Sequence, residues 1–535
     1  MPLQRHKGNR MRACLSTMVG LVIVVFGGEG LAQEPQLIAA AAGQDREVVK
    51  KLIREGADVN VRRADGTTAL LWAVHWNDFE LVDLLLGSGA DPNAADDHGV
   101  TALERAAENA NLEMVERLLS RGAEAAVQRV SGLTPLMTAA RTGNIDVVRA
   151  LIDRGAVVDA RTHETNSTAL MWALVAPHRE VVRLLLDSGA DPKIATTTGI
   201  TPLMFAARNG DQEMGGVLLE AGIDVNDTSP DGTHVLPFAI AAGQSEFALF
   251  LLDHGADPDS WMGGVSALHA AAGPVATWLR SWVRGHGPIG GRRLNAVERL
   301  ELVEALLAAG ADPNARIMTS AMLMSYIGYP KKGAFEPFAP GTGDLRGATP
   351  LWVAAFELNG APSSIFSIIP SFQTSSVEVL QALIAGGADV SLPTNDGTTP
   401  LMAAAGLGKA TYTPRQPRGV RSRSAEEAVR ALVEAGANVN AVNEADFTAL
   451  HGATFRGLNE VVGFLVGQGA NIDARDFRGR TAYRIAEGAK QSFQFQSWPE
   501  TAALLKRLGA NTGLGLPGTV QERLRNIAPA NDPEF

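Results

Sequence analysis

Apolar residues along this chain recur at the spacing of short amphipathic helices. In the segment 179–187, one helical face carries four aliphatic residues: Val181, Val182, Leu185 and Leu186. Segments of this kind are followed by a glycine, such as Gly89 or Gly189, a residue that readily adopts the left-handed backbone that ends a helix. Because one such helix cannot hide its apolar face alone, the pattern predicts helices that pack side by side.

These glycines recur with a period of 33 residues over much of the chain. The copies are Gly56, Gly89, Gly122, Gly155, Gly189, Gly222, Gly255, Gly310, Gly387, Gly436, Gly469 and Gly509. A threonine-led tetrad follows most of them, beginning at Thr68, Thr101, Thr134, Thr168, Thr201, Thr349, Thr399, Thr448 and Thr481. In Thr134-Pro135 the threonine oxygen can cap a helix, while proline takes the first helical position, where no N–H partner is needed. The sequence therefore predicts a tandem array of units with two helices each.

This pattern resembles the ankyrin repeat, whose mark is a T-P-L-H-x-A motif at a period of 33 residues. The resemblance extends from residue 36 to residue 513. It implies an all-α repeat solenoid of about twelve ankyrin repeats, each with a hairpin tip and two antiparallel helices. His269 and His451 keep the histidine of the motif, whereas other repeats replace it with Met137, Met171, Met204, Met402 or Trp352.

The strict period breaks after His269, and this divides the predicted array. We expect a signal peptide over 1–32, regular repeats over 33–272, repeats with insertions over 273–447, further repeats over 448–512, and a cap or tail over 513–535. Three insertions separate a first from a second helix, at 273–295, 358–374 and 408–424. A fourth, 317–347, is expected between a second helix and the next tip. Equivalent points of stacked units lie side by side, so the first three should converge on one face, which is often the binding face.

The first 32 residues have the layout of a secretory signal peptide. Four basic residues precede an apolar run over 15–26, and small residues lead to Ala32. The run is shorter than the roughly 20 apolar residues that a membrane span requires. We therefore predict a periplasmic or secreted protein without a stable membrane span after cleavage. An uncleaved anchor is the alternative.

Charge and cysteine content exclude several function classes. The net charge is −11, and without residues 1–32 it becomes −14, so the overall field does not favour nucleic acid. The only cysteine, Cys14, precedes the apolar run. Neither a disulfide, a lipid-modified cysteine nor a thiolate zinc site is expected in the processed chain.

The search for catalytic chemistry finds little. The ten histidines are scattered, and no H-E-x-x-H or nucleophile-elbow pattern occurs. A literal G-x-G-x-x-G over 513–518 follows a predicted helix and contains Pro517, whereas a dinucleotide fingerprint needs a preceding strand. We predict no catalytic residue, metal site or cofactor, and hence no enzyme.

The resemblance implies that a protein partner binds in a groove formed by the tips and the ends of the first helices. Equivalent positions here are His75, Trp76, Arg141, Arg208, Asn209, Trp261, Phe356, Phe455, Arg456 and Phe477. Aromatic and arginine side chains are the usual anchors of interfaces. Alternatively, side chains such as Trp76 and Trp261 pack against the adjacent unit.

Two insertions are basic on this acidic chain. They carry Arg280, Arg284, Arg292 and Arg293 in the first, and Arg415, Arg418, Arg421 and Arg423 in the third. Together they form a predicted anion-binding set, since guanidinium groups bind carboxylates and phosphates. The alternative is that both are solvated loops, with Trp278 and Trp282 covering their own unit.

The leading hypothesis is a monomeric, non-catalytic extracytoplasmic scaffold that binds a protein through the groove and the clustered insertions. A second hypothesis is a receptor for an anionic polysaccharide or lipid headgroup, bound by the basic loops. A third, implied by the resemblance alone, is a secreted effector that binds a host protein.

The signal peptide generates the first testable prediction. Cleavage after Ala32 should leave Gln33 as the first residue of the exported chain, because the small residues before it suit the processing site. N-terminal sequencing of protein from the periplasm or medium measures this. Replacing residues 21–24 with two Lys-Glu pairs should retain the chain in the cytoplasm, and export of that variant would contradict the prediction.

Overall fold

The computed structural model describes residues 35–275, 278–319, 346–358, 376–407, 421–477, 479–491 and 494–515. The predicted signal peptide and large parts of three predicted insertions lie outside these residues. The chain divides into two compact units, 1–105 and 106–535, which we describe separately.

Both units consist of short helices in consecutive pairs. In the first unit these are α1 (Gln36–Ala42), α2 (Arg46–Arg54), α3 (Ala69–His75) and α4 (Phe79–Gly87), and α5 (Ala102–Glu108) spans the division. The second unit continues with α6 (Leu112–Ser120), α7 (Pro135–Thr142), α8 (Ile145–Asp153), α9 (Ala169–Val175), α10 (Arg179–Asp187), α11 (Pro202–Asn209), α12 (Gln212–Glu220), α13 (Val235–Ala241) and α14 (Ser245–Asp253). The all-α repeat solenoid predicted from the sequence is confirmed, while the number of repeats stays a prediction.

The remainder of the second unit contains two small hairpins. The strands β1 (Trp261–Met262) and β2 (Val265–Ser266) pair antiparallel. They are followed by α15 (Ala267–Ala272), α16 (Arg280–His286), α17 (Ala296–Ala308), α18 (Pro350–Leu358), α19 (Val377–Ala385), α20 (Pro400–Ala404), α21 (Arg423–Glu434), α22 (Ala449–Arg456), α23 (Asn459–Gly467) and α24 (Ala482–Gly488). The chain then forms the antiparallel pair β3 (Ala489–Gln491) and β4 (Gln494–Gln496), and α25 (Pro499–Arg507). Within the described residues, no helix combines the length and apolar character that crossing a membrane requires.

One repeat shows why these residues form two helices. The Thr134 side chain accepts a hydrogen bond from the Met137 N–H (3.2 Å), and Pro135 takes the first position of α7. Gly143 ends the helix with a φ of +81°. Asn144 then caps α8, whose buried face is Val147, Val148 and Leu151.

The tips are joined from one repeat to the next by a ladder of asparagine and aspartate side chains. Asn226 accepts the Asp257 N–H (2.7 Å) and donates to the Gly255 carbonyl (3.0 Å). Asn314 and Asn440 repeat this pair of bonds further along the chain. Because both backbone partners belong to the next repeat, these side chains hold the tips in register.

The predicted insertion 317–347 begins inside a tip, not before it. Ile317 donates to the Ala348 carbonyl (2.9 Å), and Gly347 donates to the Ile317 carbonyl (2.8 Å). Ser229, Gly232 and Thr233 make the same two bonds around an ordinary tip turn. The prediction that this insertion precedes the tip was therefore wrong, because the extra residues replace the turn itself.

The hairpin β3–β4 is an insertion that the sequence analysis did not predict. It lies between the two helices of the last described repeat. The segment QSFQFQ alternates polar and aromatic residues, which is a strand signal. The glycine and threonine period did not reveal it, because the markers on both sides of it are intact.

His269 is buried as a neutral ring at the start of α15. Its Nδ1 faces the Ser266 hydroxyl (2.7 Å), and its Nε2 donates to the Ala348 carbonyl (2.9 Å). Burial lowers the pKa of His269 from 6.5 to about 4. The folded chain thus resists a proton that the unfolded chain accepts.

This generates a pH prediction. The stability that depends on neutral His269 is present above pH 6.5 and is lost as the pH falls from about 6.5 to about 4, since only the unfolded state binds the proton in that range. The free energy of unfolding from urea titration should decrease by about 2 kcal/mol from pH 7 to pH 5 through this group. His269→Met, which places here the residue that Met204 supplies in another repeat, should reduce that pH dependence. An unchanged slope would contradict the prediction.

Candidate binding groove

The ends of three successive first helices form a row in the second unit. The helices α7, α9 and α11 are neighbours, and at the same position near their ends lie Arg141, Val175 and Arg208, which we call the groove row. Arg141 is exposed, Val175 is 56% exposed and Arg208 is half-buried. Trp172 and Phe205, one turn earlier on α9 and α11, are also partly exposed and form the floor of the groove.

Arg208 is the most unusual charge in this row. Its guanidinium carbon lies 5.9 Å from the Phe205 ring centroid and 5.8 Å from that of Phe238. Its Nε is buried without a hydrogen-bond partner, and burial lowers the pKa of Arg208. No carboxylate among the described residues pairs with it. Arg208 is therefore a partly desolvated cation held on aromatic rings.

Side chains from the following repeats hold the ends of these helices in place. The His178 Nε2 lies 3.0 Å from the Arg141 carbonyl and donates to it. Asn209 donates to the Leu174 carbonyl (3.2 Å), and Gln244 donates to the Arg208 carbonyl (3.0 Å). The backbone beneath the groove row is thus fixed by stacking.

The first insertion closes the groove beyond Arg208. In α16, Trp282 is 7% exposed, and its Nε1 donates to Asp231 Oδ2 (3.1 Å) and Thr233 Oγ1 (2.9 Å) at a neighbouring tip. The Trp282 ring lies 6.0 Å from the Phe238 ring, which continues the groove floor in α13. Trp278 is also buried, 6.3 Å from the Trp352 ring. The interpretation that these tryptophans cover repeats of their own chain is favoured over a loose loop.

His286 fastens the end of α16 to the same tip. Its ring stacks on Trp282 at 4.2 Å, and its Nε2 lies 3.0 Å from Asp231 Oδ2. Burial opposes ionisation of Asp231, but hydrogen bonds from Ser229 and Thr233 and the nearby His286 outweigh it and lower the pKa of Asp231. A carboxylate is thus stabilised where the insertion meets the tip.

The returning part of the insertion lies directly on the end of α13. A Cβ at Gly291 would lie 1.6 Å from the Ala242 carbonyl oxygen, and a Cβ at Gly243 would lie 1.9 Å from that of Arg292. Both glycines have positive φ, +89° and +76°. Residues 278–293, which we call the groove insert, therefore fit the groove through backbone contacts that only glycine permits.

The predicted anion-binding arginines have different environments. Arg292 and Arg421 form ion pairs with Glu298 and Glu426, and these pairs raise the pKa of both arginines. Each glutamate lies in the first turn of a second helix, so the pairs anchor the ends of the insertions. Arg280, Arg284, Arg293 and Arg423 are exposed. Arg415 and Arg418 lie outside the described residues, and a shared anion site stays a prediction.

In the first unit, Trp76 fits both interpretations of the sequence. It is 43% exposed, yet its Nε1 donates to the Ala42 carbonyl of the preceding repeat (3.1 Å). Its ring lies 4.7 Å from His75 and 6.4 Å from Trp72. This exposed aromatic cluster stays a candidate contact surface.

Other predicted groove residues are half-buried among aromatic neighbours. Trp261 lies 6.2 Å from the ring of His269, while Phe356 stacks on Trp352 at 5.0 Å. Phe477 lies 6.0 Å from Phe447. Asn209 is exposed at the end of α11. The described contacts of the three aromatic residues are with their own repeats.

The prediction that Phe455 and Arg456 line the groove surface was wrong. Phe455 is 1% exposed, packed edge-on against Phe447 at 5.6 Å and beneath Arg480 at 5.8 Å. Burial lowers the pKa of Arg456 to about 10, and its Cγ would be 2.5 Å from a Cβ at Gly406. Neighbouring repeats enclose this helix end, so a partner has little access to either side chain.

Sequence reasoning missed Trp172, Val175 and Phe205. Their signal was available, because Val175 occupies the repeat position of Arg141 and Arg208. An apolar residue at such a position looks like core until its 56% exposure is known.

The described residues also contain an open cavity of about 400 Å³ at the start of α10. It is lined by Gly143, Pro177, His178, Arg179, Glu180, Val181 and Asp211. Arg179 already pairs with Asp211 and Glu213. Among the described residues, no cluster of histidine, cysteine and carboxylate side chains is placed to hold a metal ion.

Comparison with known protein families accounts for more than half of the 535 residues. A model of ankyrin repeats in three copies matches residues 37–129, 123–196 and 188–262, and a single-repeat model matches 396–444 and 446–477. The stretch 263–395, which these models do not match, holds three of the predicted insertions. No curated protein matches the chain.

The seating of the groove insert can be tested with Gly291→Ala. The added Cβ meets the Ala242 carbonyl at a positive φ, so the insert should open more often, and a cost of about 1.4 kcal/mol makes tryptic cleavage at Arg284 and Arg293 about tenfold faster. Gly285→Ala is the matched control, since a Cβ there has nothing within 4 Å. Equal cleavage rates in the two variants would contradict the docked position.

Proposed function

The chain belongs to the ankyrin-repeat family, and from this premise we propose that it is a non-catalytic scaffold that binds a protein in the groove of its second unit. Ankyrin repeats generally mediate protein–protein interaction. Ankyrin-repeat proteins are typically binding scaffolds without catalytic activity.

The observation that carries the proposal is the open groove row beside the groove insert. Val175 is 56% exposed between two arginines, and Trp172 and Phe205 are partly exposed beneath it. Aromatic and arginine side chains in partly desolvated positions dominate the energy of protein interfaces. The groove insert occupies the continuation of this groove, so a partner has access to the row and not to Phe238.

The proposed compartment is the periplasm or the cell exterior. This part rests on residues 1–32, where a basic segment and a short apolar run precede Ala32. The only cysteine lies within this segment, and a processed chain without cysteine tolerates an oxidising compartment. We propose that the protein acts there as a monomer.

A second candidate function is a receptor for an anionic polysaccharide or lipid headgroup. The observation in its favour is that Arg280 and Arg284 lie one helical turn apart on α16, both exposed and without a carboxylate partner among the described residues. Trp282 faces the groove between them in sequence, so the two arginines point away from the repeats. The effector hypothesis rests on the resemblance alone.

Site-specific crosslinking in the producing cells separates these functions. A photoreactive amino acid at position 175 should crosslink one defined protein, identified by mass spectrometry, because this position lies in the open groove. The same group at position 149, exposed on the second helix α8, is the matched control and should not. Absence of a protein adduct at 175, combined with loss of binding to anionic polysaccharide or vesicles in an Arg280→Gln, Arg284→Gln variant, would favour the second function instead.

A further inference from the structure

We infer that the groove row recognises an extended acidic protein segment, in which two carboxylates bind Arg141 and Arg208 and an apolar side chain between them covers Val175. This inference rests on the proposed function and deepens it by naming the chemistry of the partner.

The spacing of the row sets the spacing in the ligand. Arg141, Val175 and Arg208 stand at the same position of three successive first helices. Packed helices lie about 8–10 Å apart. A polyproline II segment has three residues per turn and a rise of about 3.1 Å per residue, so residues i, i+3 and i+6 face one side at about 9 Å intervals. The matching segment is acidic, x, x, apolar, x, x, acidic.

Arg208 supplies the strongest argument for a carboxylate. Its guanidinium is half-buried, its Nε has no hydrogen-bond partner, and no carboxylate among the described residues neutralises it. A desolvated cation without a partner is costly, and a bidentate carboxylate satisfies the planar fork of donors. Phe205 and Phe238 hold the guanidinium from one side, which leaves the other groove side for a ligand.

Arg141 repeats the charge two repeats earlier. It is exposed, and no carboxylate among the described residues pairs with it. Acidic residues are the majority in this chain, 58 against 47 basic, so two groove arginines without acidic partners stand out. Complementary charge in the partner would steer association and fix its register.

The row is also organised before a ligand arrives. His178, Asn209 and Gln244 each hold the carbonyl of a helix end in the row. The groove insert adds a wall, since a Cβ at Gly290 would lie 3.9 Å from the Arg208 side chain. Preorganised positions lower the entropy that binding must overcome.

An apolar centre favours a protein segment over a lipid surface or a uniformly charged polymer. Val175 and the floor residues Trp172 and Phe205 gain nothing from a repeated anionic sugar, whereas an aliphatic side chain removes their exposed surface from water. The proposed ligand is therefore a peptide segment of a partner protein.

The test is a selection of random 12-residue peptides, displayed on phage, against the full chain. Enriched peptides should share the acidic-x-x-apolar-x-x-acidic pattern. A synthetic labelled peptide of that consensus should bind in fluorescence anisotropy, and Arg208→Met and Arg141→Met should each weaken it about tenfold or more, since each removes a charge-assisted hydrogen bond. Val175→Lys should change the preferred central residue from apolar to acidic.

Two variants control for folding and for general charge. Arg149→Met removes an exposed arginine from α8 and should leave the affinity unchanged. Arg208→Lys keeps the charge without the planar fork and should weaken binding less than Arg208→Met. If Arg208→Met does not fold, as judged by circular dichroism, Arg141→Met and Arg208→Lys still decide the question.

Several results would overturn the inference. These are a consensus without acidic residues, a different spacing, no enriched peptide, or equal affinity for the wild type, Arg141→Met and both Arg208 variants. A non-acidic consensus whose binding is lost in Val175→Lys would refute the acidic ligand and leave protein binding in the groove intact. Binding of anionic vesicles that Arg141→Met weakens as strongly as it weakens the peptide would also count against a protein segment.

Discussion

Every feature of this protein depends on one constraint, which is that a pair of short helices cannot bury its own apolar flanks. Val147, Val148 and Leu151 of α8 are fully buried only because neighbouring repeats cover them. The polar contacts obey the same constraint, since Asn226 binds the backbone of the next tip. Stacking therefore decides both the stability of the array and the positions of the side chains that it displays.

The groove insert shows how the same surface can be structural in one place and available in another. Trp282 and Gly291 seat the insert over α13. Where the insertion interrupts the ordinary end of α15, Arg299 donates to the carbonyls of Ala270 (3.0 Å) and Ala271 (2.9 Å). Burial lowers the pKa of Arg299 to about 10, so this arginine is a buried helix cap and not a ligand site.

Arginine illustrates how environment, and not residue type, separates function from structure here. Arg292 and Arg421 are neutralised by carboxylates at the starts of helices, and Arg480 is buried against Asp476. Arg141 and Arg208 lie on the groove without such partners among the described residues. A cation on a rigid backbone without a counter-charge is the feature that directs our proposal toward an acidic partner.

The sequence by itself determined the repeat, the helix caps and the terminating glycines, because these depend on residues within a few positions of one another. Tertiary structure alone decided which equivalent residues face solvent. Phe455 is 1% exposed and Val175 is 56% exposed, although both stand at the end of a first helix. It also decided that the fourth insertion opens within a tip and that Trp282 reaches Asp231, 51 positions away in the chain. A periodic pattern specifies the local position of a residue, whereas its exposure depends on what distant segments place above it.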